Sequence, residues 1–183
     1  GTNTDPYQPI EARYRITRSV LEVASAWNHP VGIVTKGTLI ERDIDILSDM
    51  AARRLVTVGV SVTTLDPSLS RRMEPRAPVP ARRLQAIRAL SDTGVPVRVM
   101  VAPVVPVLTD HELEAILAAG AEAGASAASW ILLRLPLEVA PLFRDWLERH
   151  EPGKAAHVMN RLRDMRGGAD YAAEWGKRMT GEG

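Results

Sequence analysis

Cysteine is absent from all 183 residues. Without a thiol the chain holds no disulfide, no thiolate zinc site and no cysteine nucleophile, and it lacks the usual ligands of an iron–sulfur cluster. Aromatic residues are scarce at 4%, and none interleaves with the arginines of 71–88, so a stacking surface for single-stranded nucleic acid is not indicated. A net charge of +1 leaves no global field to draw the chain to nucleic acid or an anionic membrane. No apolar run approaches the roughly 20 residues of a membrane span, and no signal peptide opens the sequence. A cytoplasmic location without membrane contact is the expectation. Neither G-x-G-x-x-G nor G-x-x-x-x-G-K-[ST] occurs, and His29, His111, His150 and His157 show no H-x-x-x-H pairing.

What is present is a globular balance, 45% apolar and 25% charged. Four β-branched, nearly continuous apolar segments predict buried strands over 31–36, 55–63, 97–105 and 127–134. Helical periodicity lies between and around them, over about 10–27, 39–53, 80–94, 109–124, 138–150 and 154–165. Pro80 suits a first helical turn, and Thr109-Asp110-His111-Glu112 has the spacing of a capping box. The proline-rich stretch 67–80 is expected to be an insertion. Alternating strands and helices predict an α/β fold with parallel strands and right-handed crossover helices. Four strands are too few to close a barrel, so a partial barrel lacking its N-terminal strands is expected.

Each strand turns polar or proline-rich at its C-terminal end, the edge at which parallel α/β folds bind ligands. Lys36 stands out there: it is one of three lysines against twenty arginines, and the only one that ends a strand. A lysine at that edge can clamp a carboxylate, form a Schiff base, or simply be solvated. Arg71, Arg72, Arg76, Arg82, Arg83 and Arg88 surround a single acid, Glu74. They form either a phosphate-facing patch or, the plainer expectation, a solvated face. Trp27, Trp130 and Trp146 lie on apolar faces and are expected in the core. Gly59-Val60-Ser61-Val62-Thr63 is a poor nucleophile elbow, because the strand runs on through Ser61. The turn-forming ends, with no Met at the start, suggest an interior piece of a longer chain.

Taken together, GTNTDPYQPIE (1–11), VGIVTK (31–36), VSVTTLD (60–66), RRMEPRAP (71–78), VMVAPVVPVLTDHE (99–112), LLRLP (132–136) and MRGG (165–168) resemble the second half of a radical S-adenosylmethionine (radical SAM) enzyme of the branch related to spore photoproduct lyase. The resemblance implies a partial (β/α)6 TIM-like barrel over 1–150, from the end of its second strand through the sixth strand and its helix, and a C-terminal helical extension over 151–183. It implies SAM as cofactor, and a 4Fe–4S cluster held by a C-x-x-x-C-x-x-C loop that would precede Gly1. A parent enzyme of this kind cleaves SAM reductively to a 5′-deoxyadenosyl radical for hydrogen abstraction, taking its electron from a donor such as flavodoxin or ferredoxin. The fragment alone, having no Cys, would be inactive.

By the same resemblance Asn3, Thr4 and Asp5 grip the SAM amino group, Lys36 neutralises its carboxylate, and Ser61 with Thr63 takes the ribose hydroxyls. Ala102, Pro103 and Val104, with Leu132 and Leu133, flank adenine. Arg134 takes SAM, the substrate or a structural ion pair. Three places depart from the pattern: Val107 where a glycine is usual, Arg98 where a small residue is usual, and the stretch Ala172-Ala173-Glu174-Trp175. The substrate does not follow from the resemblance, and kinship to a DNA repair lyase is no evidence for DNA. Two other classes stay open: a barrel lyase or aldolase with Lys36 as Schiff-base former, and a nucleic-acid-binding module built on the arginines.

Overall fold

The computed structural model describes residues 4–168. Four strands form one sheet in the order β1 (Val31–Thr35), β2 (Val56–Ser61), β3 (Val97–Val104), β4 (Ala127–Leu132). The pairs β1–β2 and β2–β3 are parallel, with Thr35 opposite Val60, Val60 opposite Val99 and Ser61 opposite Met100. The helices are α1 (Glu11–Tyr14), α2 (Ile16–Ala26), α3 (Ile44–Ala52), α4 (Pro67–Met73), α5 (Pro80–Asp92), α6 (Leu113–Glu122), α7 (Val139–His150) and α8 (Ala155–Asp164). The expected α/β fold with a partial barrel of parallel strands is the fold observed.

The described residues fall into two compact units. One comprises the chain up to Ala102 together with Glu112–Trp130, and the other Pro103–His111 together with the chain from Ile131 onward.

In the first unit, strand alternation sends Ile33, Val56, Val58, Val60, Val97, Val99 and Val101 to one buried face. Leu47 and Met50 of α3, Ile87 and Leu90 of α5 and Ile116 of α6 are buried with them. Helix α6 lies so close to β3 that a Cβ on Gly120 would stand 2.8 Å from Val99. The opposite, inner face carries smaller and more open residues: Gly32 and Val34 on β1, Thr57 and Gly59 on β2, Arg98 and Met100 on β3. Met100 fills the space over Gly59. At the C-terminal ends this inner face continues through Lys36, Ser61, Thr63 and Ala102, because each shares the parity of the inward residues on its strand.

In the second unit, α7 and α8 pack together, burying Leu147, Val158, Met159 and Leu162. The Leu133 N–H donates to the Val104 carbonyl at 2.9 Å.

Four local expectations are corrected. The helix expected over 10–27 is two, broken at Arg15, whose φ of 51° is left-handed and stops α1 before α2 begins. The stretch 67–80 contains α4, started by an Asp66 side chain that accepts from the Ser68 N–H at 2.7 Å, with Pro67 in the first turn. The capping box at 109–112 does not form. The Thr109 hydroxyl accepts from the Val105 N–H at 2.9 Å, Glu112 turns to the Leu65 N–H at 2.7 Å, and α6 starts at Leu113. Trp27 is 81% exposed and Trp130 is exposed as well, so neither is core. The apolar periodicity of α2 splits between two faces, Leu21 and Ala24 inward and Ile16, Val20, Val23 and Trp27 outward.

Candidate functional site

The site is built where the chain before α1 meets the tips of β1 and β2. Asp5 is the clamp. Its Oδ1 accepts from the Thr35 hydroxyl at 2.6 Å and the Tyr7 N–H at 2.8 Å, and its Oδ2 accepts from the Lys36 N–H at 2.7 Å. A carboxylate taking three donors fixes the turn leaving β1 and leaves a lone pair of Oδ2 uncommitted. Gly37 follows because nothing larger fits: a Cβ there would sit 2.7 Å from the Tyr7 carbonyl oxygen.

Behind this clamp a buried polar cluster ties the same segment to the chain leading into α3. The Tyr7 hydroxyl donates to Asp43 at 3.2 Å, and Arg42 bonds both Asp43, at 2.7 Å, and Glu11, at 3.0 Å. Arg18 reaches Asp43 at 3.2 Å and Asp45 at 2.7 Å. Burial pushes the Tyr7 phenol far up, and the neighbouring Asp43 charge pushes it further. Burial alone would raise Glu11 and Asp43, but the Arg42 hydrogen bonds, joined by the Thr17 N–H at Glu11 and by Arg18 at Asp43, outweigh it and hold both carboxyls below the ordinary range.

The second half of the site hangs on Glu74, at the C-terminal end of α4. Its Oε1 lies 2.6 Å from the Lys36 ammonium, and its Oε2 accepts from Arg83 at 2.6 Å and from the Thr63 hydroxyl at 3.2 Å. Arg83, only 1% exposed, also donates to the carbonyls of Ser61, at 3.1 Å, and Pro78, at 2.7 Å. Burial would raise the Glu74 carboxyl, but the Arg83 and Lys36 charges together hold it below its ordinary value. Lys36 and Ser61, one step past the paired Thr35 and Val60, therefore stand side by side and are joined through Glu74 and Arg83.

Of the residues named from the sequence, Asp5, Lys36, Ser61 and Thr63 come together here. Thr4 is exposed one residue before the clamp, and Ala102 continues the inner face of β3. Pro103 and Val104 end β3, where Val104 is buried, while Leu133 is half-buried and Arg134 exposed after β4. The Leu133 carbonyl accepts from Arg166. Asn3 and the stretch 172–175 lie outside the described residues.

The arginine patch does not survive as a solvated whole. Arg83 is a buried structural cation, Arg82 pairs with Glu41 at 3.1 Å, and Arg88 donates to the Glu122 carbonyl at 2.8 Å. Glu74 and Arg83 are the site residues whose role sequence reasoning missed. The signal was available in Glu74 as the lone acid among six arginines. Among the described residues no group of His, Asp and Glu could hold a metal ion, and no helix is long and apolar enough to cross a membrane.

The sequence signature of the Radical SAM superfamily matches residues 1–119, the stretch that carries both the Asp5 clamp and the Glu74 bridge. The chain belongs to the radical SAM superfamily. An uncharacterized protein of Mycobacterium tuberculosis is 38% identical over 167 residues, covering 90% of this chain and 48% of the relative. An uncharacterized protein of Methanocaldococcus jannaschii is 28% identical over 109 residues, 60% of this chain and 40% of that protein, and one of Acidianus two-tailed virus is 36% identical over 102 residues, 56% and 33%. The chain spans about half the length of the mycobacterial relative it matches.

Radical SAM chemistry uses SAM and a 4Fe–4S cluster. The cluster does not fit the residues present: the chain offers no thiolate at all. The amino-acid end of SAM meets a fitting group in Lys36, a 34%-exposed ammonium at the strand tips; Ser61 and Thr63 beside it are buried, and the Thr63 hydroxyl already donates to Glu74.

Proposed function

We propose that this chain forms the SAM-binding wall of a radical SAM enzyme in the branch related to spore photoproduct lyase, whose whole protein cleaves SAM reductively. One observation carries the reading: Lys36, Ser61 and Thr63 share the inner face at the tips of β1 and β2, bridged by Glu74 and Arg83. In this reading Lys36 takes the SAM carboxylate as a point charge, and Ser61 with Thr63 takes the ribose. Thr4 and the remaining lone pair of Asp5 take the amino group. Ala102, continuing the inner face of β3, supplies apolar surface to adenine. The bound cluster supplies the electron for cleavage, and no residue of this chain holds it.

The Schiff-base alternative is weakened by the 2.6 Å pairing of Lys36 with Glu74, which uses the nitrogen as a charge partner instead of presenting a free amine. The nucleic-acid alternative is weakened by the separate partners of its arginines.

The full-length protein, purified without oxygen and reduced, is expected to convert SAM to 5′-deoxyadenosine. Lys36→Met should lower that yield by about tenfold, the loss expected of one charge-assisted contact of 1.4 kcal/mol or more. A full-length protein that binds no SAM, or a borohydride adduct of a carbonyl substrate on Lys36, would reverse the conclusion.

A further inference from the structure

The geometry points to Glu74 as the positioning residue of the site: anchored from behind by Arg83, it holds the Lys36 ammonium level with Ser61, ready for a ligand carboxylate. The inference rests on the SAM-binding reading and goes beyond it by naming what orients the lysine.

Lysine is a flexible four-carbon stem carrying three donors, so an unassisted Lys36 samples many rotamers. Glu74 removes that freedom only if it is itself fixed, and it is. Its Oε2 is held at 2.6 Å by Arg83 and at 3.2 Å by Thr63, leaving Oε1 to face Lys36 at 2.6 Å. Arg83 cannot swing either. Its three nitrogens are committed to Glu74, the Ser61 carbonyl and the Pro78 carbonyl, in a place that is 1% exposed. The chain Arg83–Glu74–Lys36 thus runs from the tip of β2 to the tip of β1 without a free joint before the lysine.

The charges agree with this role. Two cations flank one carboxylate, so the trio keeps one positive charge, which a ligand carboxylate would balance. Lys36 spends one of its three donors on Glu74 and keeps two. Stability alone does not call for a lysine here, because Arg83 and Thr63 already hold the carboxylate by Oε2, and a partly exposed ion pair at Oε1 contributes little. Orienting the ammonium before the ligand arrives lowers the ordering cost of binding.

The test measures equilibrium binding of two probes to the full-length protein: S-adenosylhomocysteine, which carries the amino-acid carboxylate, and 5′-methylthioadenosine, which lacks it. The wild type should prefer the first, and Lys36→Met should cut that preference about tenfold, the remainder belonging to the amino group that 5′-methylthioadenosine also lacks. Should the wild type show none, or Lys36→Met leave it intact, the carboxylate role of Lys36 falls, and this inference with it. With that role established, Glu74→Gln should weaken S-adenosylhomocysteine about tenfold and leave 5′-methylthioadenosine within twofold of wild type. Glu74→Asp, which keeps a charged partner for Arg83, should fall between and decides the matter if Glu74→Gln does not fold. Equal weakening of both probes, unchanged binding of both, or tighter binding of S-adenosylhomocysteine would overturn the positioning role.

Discussion

Val107 sits at φ 70°, in the left-handed region that a β-branched side chain enters only under strain. The family resemblance marks the position as one where a glycine is usual, and the backbone supplies the reason. Val107→Gly relieves a penalty of about 1–2 kcal/mol and adds back up to about 1 kcal/mol of unfolded-state entropy. The expected net gain is about 1 kcal/mol, a rise of roughly 2–4 °C in melting temperature for a chain of this size. A fall in melting temperature would mean that the Val107 side chain contributes more than its backbone costs. The same logic of one residue serving one geometry applies to Gly37. Its φ is an ordinary −81°, and what it provides is room, since Tyr7 passes where a Cβ would stand.

Among the elements, α4 matters most, because Glu74 is set by where α4 stops. Asp66 caps it, with Pro67 in the first turn. Asp66→Ala is expected to cost about 1 kcal/mol, read from urea unfolding, with a smaller loss of probe binding through Glu74. An unchanged midpoint would mean that the Ser68 N–H finds water at no cost. The cap was legible in the sequence as Asp66-Pro67-Ser68, but the surrounding prolines masked it as an insertion. The opposite error occurred at 109–112, where the capping-box spacing is genuine and the tertiary demand stronger: Glu112 serves the Leu65 N–H, and α6 begins after it. The strand tips were legible because parallel sheets bind at one edge, so Lys36 could be singled out from position, while Ser61 and Thr63 came from the family resemblance. Glu74 and Arg83 were not, because a partner brought across from another element leaves no periodic trace.

For the whole molecule, the buried ion pairs set the pH range of stability. Glu11, Asp43 and Glu74 all lie below their ordinary values in the folded state, so their stabilisation is complete above the unfolded carboxylate range. It is lost as pH falls below about 4 and through the depressed folded values. Hydrogen bonds from Arg18 hold Asp45 down as well, at about 2. Tyr7 runs the other way: its folded value is raised, so its contribution is present below about pH 10 and disappears as pH climbs through that raised value. Melting temperature should therefore be level between about pH 5 and 9 and fall on both sides, with Tyr7→Phe flattening the alkaline side. A melting temperature that stays level down to about pH 3 would show that these carboxylates are not paired in solution.

The sequence alone determined the alternation of strand and helix, the edge at which polar residues gather and the superfamily, because hydrophobic period and short motifs are properties of neighbouring residues. The tertiary structure alone decided which of those polar residues meet. It turned one arginine of an apparent surface patch into a buried anchor and left two tryptophans of an apparent core in solvent. Burial and charge pairing join residues far apart in the chain, and the spacing of neighbours carries no record of them.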